Sequence, residues 1–180
     1  YESGNWPLLG AIATLIVSNL VSIGTIVYQQ KSSRKHAVVL KNIDYINAQL
    51  EGFYNPLQSL LMENQIAFRE LGPATFSQHS IDNGNAEAAA KFWIEIRDNF
   101  IIPNNTRISE IIRMKSHLIS GRDSLENYMR LKIHIDAYAA FQKSGSERYS
   151  GFTFPVGIED HVTKHRNYLV NSLKRLAGEA

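Results

Sequence analysis

From Pro7 to Tyr28 the chain reads PLLGAIATLIVSNLVSIGTIVY, without one charged residue. No other feature restricts the fold as strongly. A backbone carried into hydrocarbon must satisfy its own polar groups, and a single segment does that only as a helix. At about 1.5 Å per residue this stretch is about 33 Å long, against a hydrocarbon core of roughly 30 Å. Trp6 and Tyr28 flank it, where interfacial aromatics belong. Only Glu2 is charged ahead of the run, whereas Lys31, Arg34, Lys35 and His36 follow it. Positive flanks stay on the cytoplasmic side. The expectation is a single-pass protein of the cell inner membrane: residues 1–6 a short extracytoplasmic tail, 7–30 a transmembrane helix, 31–180 a cytosolic domain.

Two other readings fit less well. A cleaved signal peptide starts basic, has a shorter apolar region and ends on small residues. A buried core helix is shorter and polar on one side. The chain opens on Tyr1 rather than Met, which leaves room for residues upstream, and a preceding span would weaken the orientation argument.

The span has a face of its own. Gly10, Thr14, Ser18 and Ser22 recur every four residues, with Ala11 and Thr25 close to the same side. Small residues at this spacing let a second helix approach closely, and their hydroxyls can bond across the contact. Asn19 falls at mid-membrane depth, where an amide wants another helix or water as partner. These residues predict a homo-oligomer through the membrane helix. Two alternatives remain open: a wet, Asn-lined pore, and hydroxyls that only bond back to their own helix carbonyls.

The rest of the chain carries helical periodicity and almost no strand pattern, so the fold class is all-α. With 180 residues, 44% apolar and 20% charged, the composition suits one ordinary domain. Residues 31–53 continue the membrane helix as a stalk, with Val38, Val39, Ile43, Ile46, Leu50 and Phe53 at helical spacing. Asn55-Pro56 reads as a helix start, and Gly72-Pro73 as the stop of a helix carrying Leu57, Leu60, Leu61 and Phe68. A loop over 73–84 leads to a helix over about 86–100 that would bury Phe92, Trp93, Ile96 and Phe100, broken by Pro103. Asn104, Asn105 and Thr106 offer caps for a fourth helix, ended by Gly121. Asp123 and Glu126 are spaced as a capping box for a fifth, about 124–142. A last helix covers about 158–176. Together these helices suffice for a cytosolic bundle.

A balance of 19 Lys+Arg against 17 Asp+Glu, net +2, demands no polyanion, and no duplex nucleic acid is expected as partner. The absence of Cys excludes disulfides, thiol catalysis and cysteine-bound zinc. There is no phosphate-binding glycine loop, no nucleophile elbow and no H-E-x-x-H, so no enzyme activity and no cofactor are expected. Three constellations remain. The first is Asn104, Asn105, Thr106 and Arg107 at the predicted helix start, with Arg113 and Lys115 further along. The free amides of a helix start can hold a phosphate, and nearby cations strengthen such a site. The rival reading is plain capping with a solvated basic face.

The second is the loop over 144–157, preceded by Arg122. Arg148 beside Tyr149 has the chemistry to bind a phosphate and stack on a base. Phe152 and Phe154 are expected to plug the end of the bundle. The third is His161 and His165, four apart on the last helix, with Glu159 and Asp160 beside them. Both imidazoles share a face there, but two ligands do not make a site, and no metal is expected.

One membrane helix, a short outside tail and a small cytosolic helical domain together resemble the membrane effectors of bacterial antiviral systems. The segments FYNPLQSLLMEN and IIPNNTRISEIIRMKSHLIS look like parts of an uncharacterised bacterial membrane family. The first resemblance implies a cytosolic domain that senses a cyclic nucleotide or a partner and a membrane part that disrupts the bilayer. The expected function is accordingly an oligomeric membrane-anchored effector, controlled by a small anionic ligand or a cytosolic protein and acting in phage defence. The alternative is a membrane-anchored adaptor or scaffold that recruits a cytosolic protein.

Overall fold

Residue 6 begins a helix, α1 (Trp6–Gln49), that passes without interruption beyond the apolar run and its basic flank. The computed structural model describes residues 6–75, 86–145 and 151–178, with side chains from residue 14 onward. Among the described residues five further α-helices follow: α2 (Asn55–Leu71), α3 (Ala86–Ile96), α4 (Ile102–Lys115), α5 (Leu125–Ser144) and α6 (Ile158–Ala177). The fold is all-α, as the periodicity requires. Two compact units divide the chain, residues 1–44 and 45–180.

In the first unit every side chain from 14 to 30 is exposed. Leu15, Ile16, Val17, Leu20, Val21, Ile23, Ile26 and Val27 each keep more than half of their surface open. Ser22 Oγ donates to the Ser18 carbonyl at 2.8 Å and Thr25 Oγ1 to the Val21 carbonyl at 2.9 Å. Those two hydroxyls therefore bond back within their own helix. Among the described residues, no helix is long and apolar enough to cross a membrane.

In the second unit two π-turns set the register, Leu50–Tyr54 between α1 and α2 and Arg97–Ile101 between α3 and α4. The amide closing each turn reaches back five residues, Asn55 to the Leu50 carbonyl and Ile102 to that of Arg97. Each π-turn ends two residues before a proline, Pro56 and Pro103. In a regular helix the proline ring collides with the carbonyl four residues back and offers it no N–H. Widening the preceding turn by one residue moves that carbonyl aside. The sequence pattern made Asn55-Pro56 a helix start and Pro103 a helix break. Both are instead interior to longer helical rods.

The same insertion corrects the inward face of α3 and its π-turn. Phe92 and Phe100 are exposed and Trp93 and Ile96 half-buried, while Ile101 is buried. The core gathers Phe53, Tyr54 and Leu57 around the first π-turn with Ile108, Ile112, Tyr128, Leu131 and Val162. Gln49 Nε2 donates to the Leu118 carbonyl at 2.8 Å in this buried setting. Gly52 stands so close to Leu118 that a Cβ there would meet its Cδ1 at 2.7 Å. The loop after α4 is thereby held against the π-turn. At the far end of α5, Gly145 takes the left-handed conformation (φ 66°) and its N–H caps the Phe141 carbonyl.

Candidate functional site

The loop pinned against the first π-turn carries Asp123 into the bundle. Its side chain is fully enclosed, with 0% of its surface exposed. A carboxylate taken out of water needs several donors, because a buried charge without partners is far costlier than any single hydrogen bond returns. Four groups supply them, three of them from separate helical elements and one from the next residue of the loop. Tyr54, from the π-turn, donates its hydroxyl to Oδ2 at 2.7 Å. Tyr128, from the first turn of α5, donates to the same oxygen at 2.6 Å. The Ser124 amide donates to Oδ1 at 2.6 Å, and His161 Nε2 of α6 lies 2.6 Å from Oδ1. His165 Nε2, one helical turn on, stands 3.5 Å from that oxygen.

Around this centre a second layer fixes the donors. The Ser120 amide donates to Tyr54 Oη at 3.1 Å. Phe53 meets both phenol rings edge-on, at 5.1 and 5.0 Å between centroids. The His161 and His165 rings lie 4.7 Å apart, and Tyr128 packs its ring against His161 at 5.7 Å. Asn127 Nδ2 sits 3.3 Å from His161 Nε2.

Burial acts on these groups in a definite direction. It pushes the Tyr54 and Tyr128 phenols above the ordinary tyrosine value, and the hydrogen bonds to Asp123 push the same way. Both therefore remain donors at neutral pH. Burial lowers the His165 imidazole, opposed by the Asp123 charge and assisted by His161 and Lys164. Among the described residues, Asp123, His161 and His165 are the one group of three side chains that could hold a metal ion. Glu159 and Asp160, the acidic neighbours that the sequence offered, are not part of it.

The first predicted constellation is taken apart by the continuous helix. Asn104 lies inside a helical rod and is buried, with Nδ2 donating to Asn64 Oδ1 at 3.1 Å and Glu63 Oε2 at 3.2 Å. Asn105 Oδ1 accepts from Asn64 Nδ2 at 2.9 Å, and Thr106 Oγ1 donates to the Ile102 carbonyl. The free amides expected at 104–107 are absent because the preceding turn is helical. Arg107, Arg113 and Lys115 are exposed. They are not gathered with Asn104 around one point.

Arg148 and Tyr149 lie outside the described residues. Arg122 stacks instead over the Tyr168 ring, 5.1 Å from its centroid. Phe152 and Phe154 remain 47% and 41% exposed, so they do not plug the bundle. Phe154 meets His134 edge-on, and the Phe152 carbonyl lies 2.6 Å from His134 Nδ1. On α1, Gly10 belongs to the helix but its surroundings lie outside the described residues, while Thr14, Ser18, Asn19 and Ser22 are all exposed.

Sequence reasoning found two members of the centre, His161 and His165, and misassigned a third. Asp123 reads as a cap for α5, with Glu126 as its reciprocal partner. Ser124 is the residue flanking the helix, and Glu126 pairs with Arg130 at 2.7 Å. The capping-box spacing was a real signal for the helix start but gave no hint that the carboxylate turns inward. Tyr54 lies 69 residues from Asp123, and Tyr128 has ordinary core spacing. No family model, curated protein or solved structure matches this chain.

Proposed function

We propose that this protein is an oligomeric, membrane-anchored effector. In it residues 7–30 cross a bilayer as a helix that associates through Gly10, Thr14, Ser18 and Ser22. The helical unit over 45–180 then responds to a small ligand or a protein partner, and phage defence is the setting that its layout suggests. Exposure along α1 is the observation that supports the membrane role. Leu15, Ile16 and Val17 are consecutive, so they point to different sides of the helix, and all three are open. Each apolar side chain of this size left in water forgoes about 1.5–3 kcal/mol. Lipid, or lipid together with further copies of the helix, removes that cost. The span invoked begins at residue 7, ahead of the first described side chain.

Ser22 and Thr25 bond within their own helix, so association rests on the small size of the face rather than on hydroxyl bridges. Asn19 is the polar group on α1 that calls for a partner in hydrocarbon. For the responding unit, the enclosed Asp123 centre is a better-built candidate than the 104–107 segment.

The test is extraction of the expressed full chain with alkaline carbonate, followed by native mass spectrometry in detergent. The expected result is retention in the membrane pellet and discrete oligomers. Ser18→Leu with Ser22→Leu should turn these into monomers at unchanged helix content. Release into the carbonate supernatant, or a wild-type monomer, overturns the proposal.

An anchored adaptor is the second reading, favoured by apolar surface at the α2–α3 contact. Phe68 packs on Trp93 at 5.1 Å between centroids yet stays 49% exposed, and Phe92 and Ile94, which flank Trp93 in the chain, are also open. An adaptor tolerates replacement of residues 7–28 by an unrelated membrane helix, with partner capture intact. The effector does not.

A further inference from the structure

Three side chains that bind metals through different chemistry are aimed at one point in the second unit. Asp123 comes from the loop before α5, and His161 and His165 come from one face of α6. One ligand atom from each of the three lies within 4.8 Å of the other two, and Asp123 Oδ1 stands 2.6 Å from His161 Nε2 and 3.5 Å from His165 Nε2. We infer that Asp123, His161 and His165 form a binding site for a divalent transition-metal ion, with zinc as the ion that best suits the donor set.

The distances fit that use. Two ligands of a tetrahedral ion with bonds of about 2.0–2.1 Å stand about 3.3 Å apart. His165 Nε2 and Asp123 Oδ1, at 3.5 Å, are already at that separation, which is long for a strong hydrogen bond. His161 Nε2, at 2.6 Å, has to draw back by about 0.7 Å to reach it. A rotamer adjustment on α6 supplies such a shift. Asn127 reaches the same space, with Nδ2 3.3 Å from His161 Nε2, so its amide oxygen, after a flip, or a water can complete the fourth position.

The surroundings are those of a held ligand set. The two phenols and the Ser124 amide fix the carboxylate, and such outer partners orient metal ligands and sharpen their basicity. Oδ2 takes both phenols, which leaves Oδ1 as the oxygen directed at the histidines. Asp123 is fully enclosed, while His161 and His165 keep 22% and 14% of their side-chain surface, so an ion has an entry path from the α6 side. Two imidazoles and one carboxylate suit zinc and its first-row neighbours, whereas calcium and magnesium prefer all-oxygen sets. The site lies wholly within residues 45–180 and does not depend on whether 7–30 enter a bilayer.

The experiment uses the untagged full chain in detergent, stripped with chelator and dialysed. Cobalt(II) is titrated in while visible absorption is read, then displaced with zinc, and bound metal is counted by plasma mass spectrometry. One equivalent per chain is expected, with the ligand-field bands of a four- or five-coordinate site and full displacement by zinc. The thermal midpoint should rise with zinc and not with calcium. His165→Gln, which keeps the side-chain bulk, should weaken cobalt binding at least about 100-fold at unchanged circular dichroism. Tyr54→Phe should weaken it by about 10-fold, through the carboxylate it positions. No stoichiometric uptake by the folded wild type overturns the site. So does uptake that survives in a folded His161→Ala/His165→Ala variant, since the metal then sits on other residues.

Discussion

Tyr54 and Tyr128 share one acceptor: both hydroxyls donate to Oδ2 of Asp123, at 2.7 and 2.6 Å, from positions 69 residues before it and five after it in the chain. A single enclosed oxygen therefore ties the π-turn to the start of α5. Removing one phenol leaves that oxygen with a donor, whereas removing both leaves it with none.

The shared acceptor predicts a coupling of definite sign. Tyr54→Phe and Tyr128→Phe should each lower stability by about 1.5–3 kcal/mol, the usual range for a hydrogen bond to a charged group. The double variant should lose about 1 kcal/mol more than the sum, because the full desolvation cost of Oδ2 falls on it alone. Urea unfolding followed by near-ultraviolet circular dichroism reads all four corners of the cycle. Strict additivity would mean that the two bonds act independently.

Alkaline titration gives a second check on the same pair. Both phenols are raised in the folded state, chiefly by burial. From about pH 10, the ordinary tyrosine value, the unfolded chain sheds these protons while the folded chain keeps them. Stability contributed by the pair is thus whole below that pH and declines as pH rises through it. Of the eight tyrosines in the chain, Tyr54 and Tyr128 should ionise only together with unfolding. Ultraviolet difference absorption should show their step coinciding with loss of helix, and the step should vanish in the double phenylalanine variant. Smooth ionisation of both phenols ahead of unfolding contradicts the enclosed geometry.

Asn104 separates a packing role from an anion-binding one. It donates to Asn64 and Glu63, and Asn64 in turn donates to Asn105, so the three amides pin α2 to α4. Asn104→Ala leaves Asn64 Oδ1 short of a donor at a buried position and should cost about 2 kcal/mol. The readout is the urea midpoint, with phosphate affinity measured in parallel by calorimetry. A variant of unchanged stability that loses phosphate binding would restore the helix-start reading of this segment.

Most of the helices were legible in the sequence because each carries its own periodic apolar face and stop signals. Ile108 and Ile112, or Leu57, Leu60 and Leu61, reach the core as their spacing requires. What the sequence hid was the register after each proline. Asn-Pro and Ile-Pro carry the local signature of a helix boundary, and only tertiary packing decides whether the chain breaks there or widens by one residue. The Asp123 centre was hidden for a related reason. An aspartate just before a helix satisfies the cap pattern by itself, while its real partners come from three separate elements. The two histidines were visible because their relation is local, four residues on one helix.

The π-turn at Arg97–Ile101 can be tested by taking its extra residue away. Asn99 is exposed and, among the described residues, its side chain hydrogen-bonds to Glu95 alone, at 2.9 Å, so it matters little. Deleting it forces the turn toward regular α geometry and brings a carbonyl under the ring of Pro103, a conflict of about 3 kcal/mol. It also turns α3 by about 100° relative to α4, which disturbs the Phe68–Trp93 contact. The expected outcome is a loss of about 3 kcal/mol or more for the deletion, read by urea unfolding. Adding Pro103→Ala to the deletion should recover most of the proline term but not the packing term, because alanine accepts the α register and supplies the missing N–H. In the full-length chain, Pro103→Ala alone should cost little, since the π-turn is held by burial of Ile101 as well as by the ring. If the substitution gives no rescue, the wide turn is set by packing alone, and the pairing of each π-turn with a proline two residues on is not its cause.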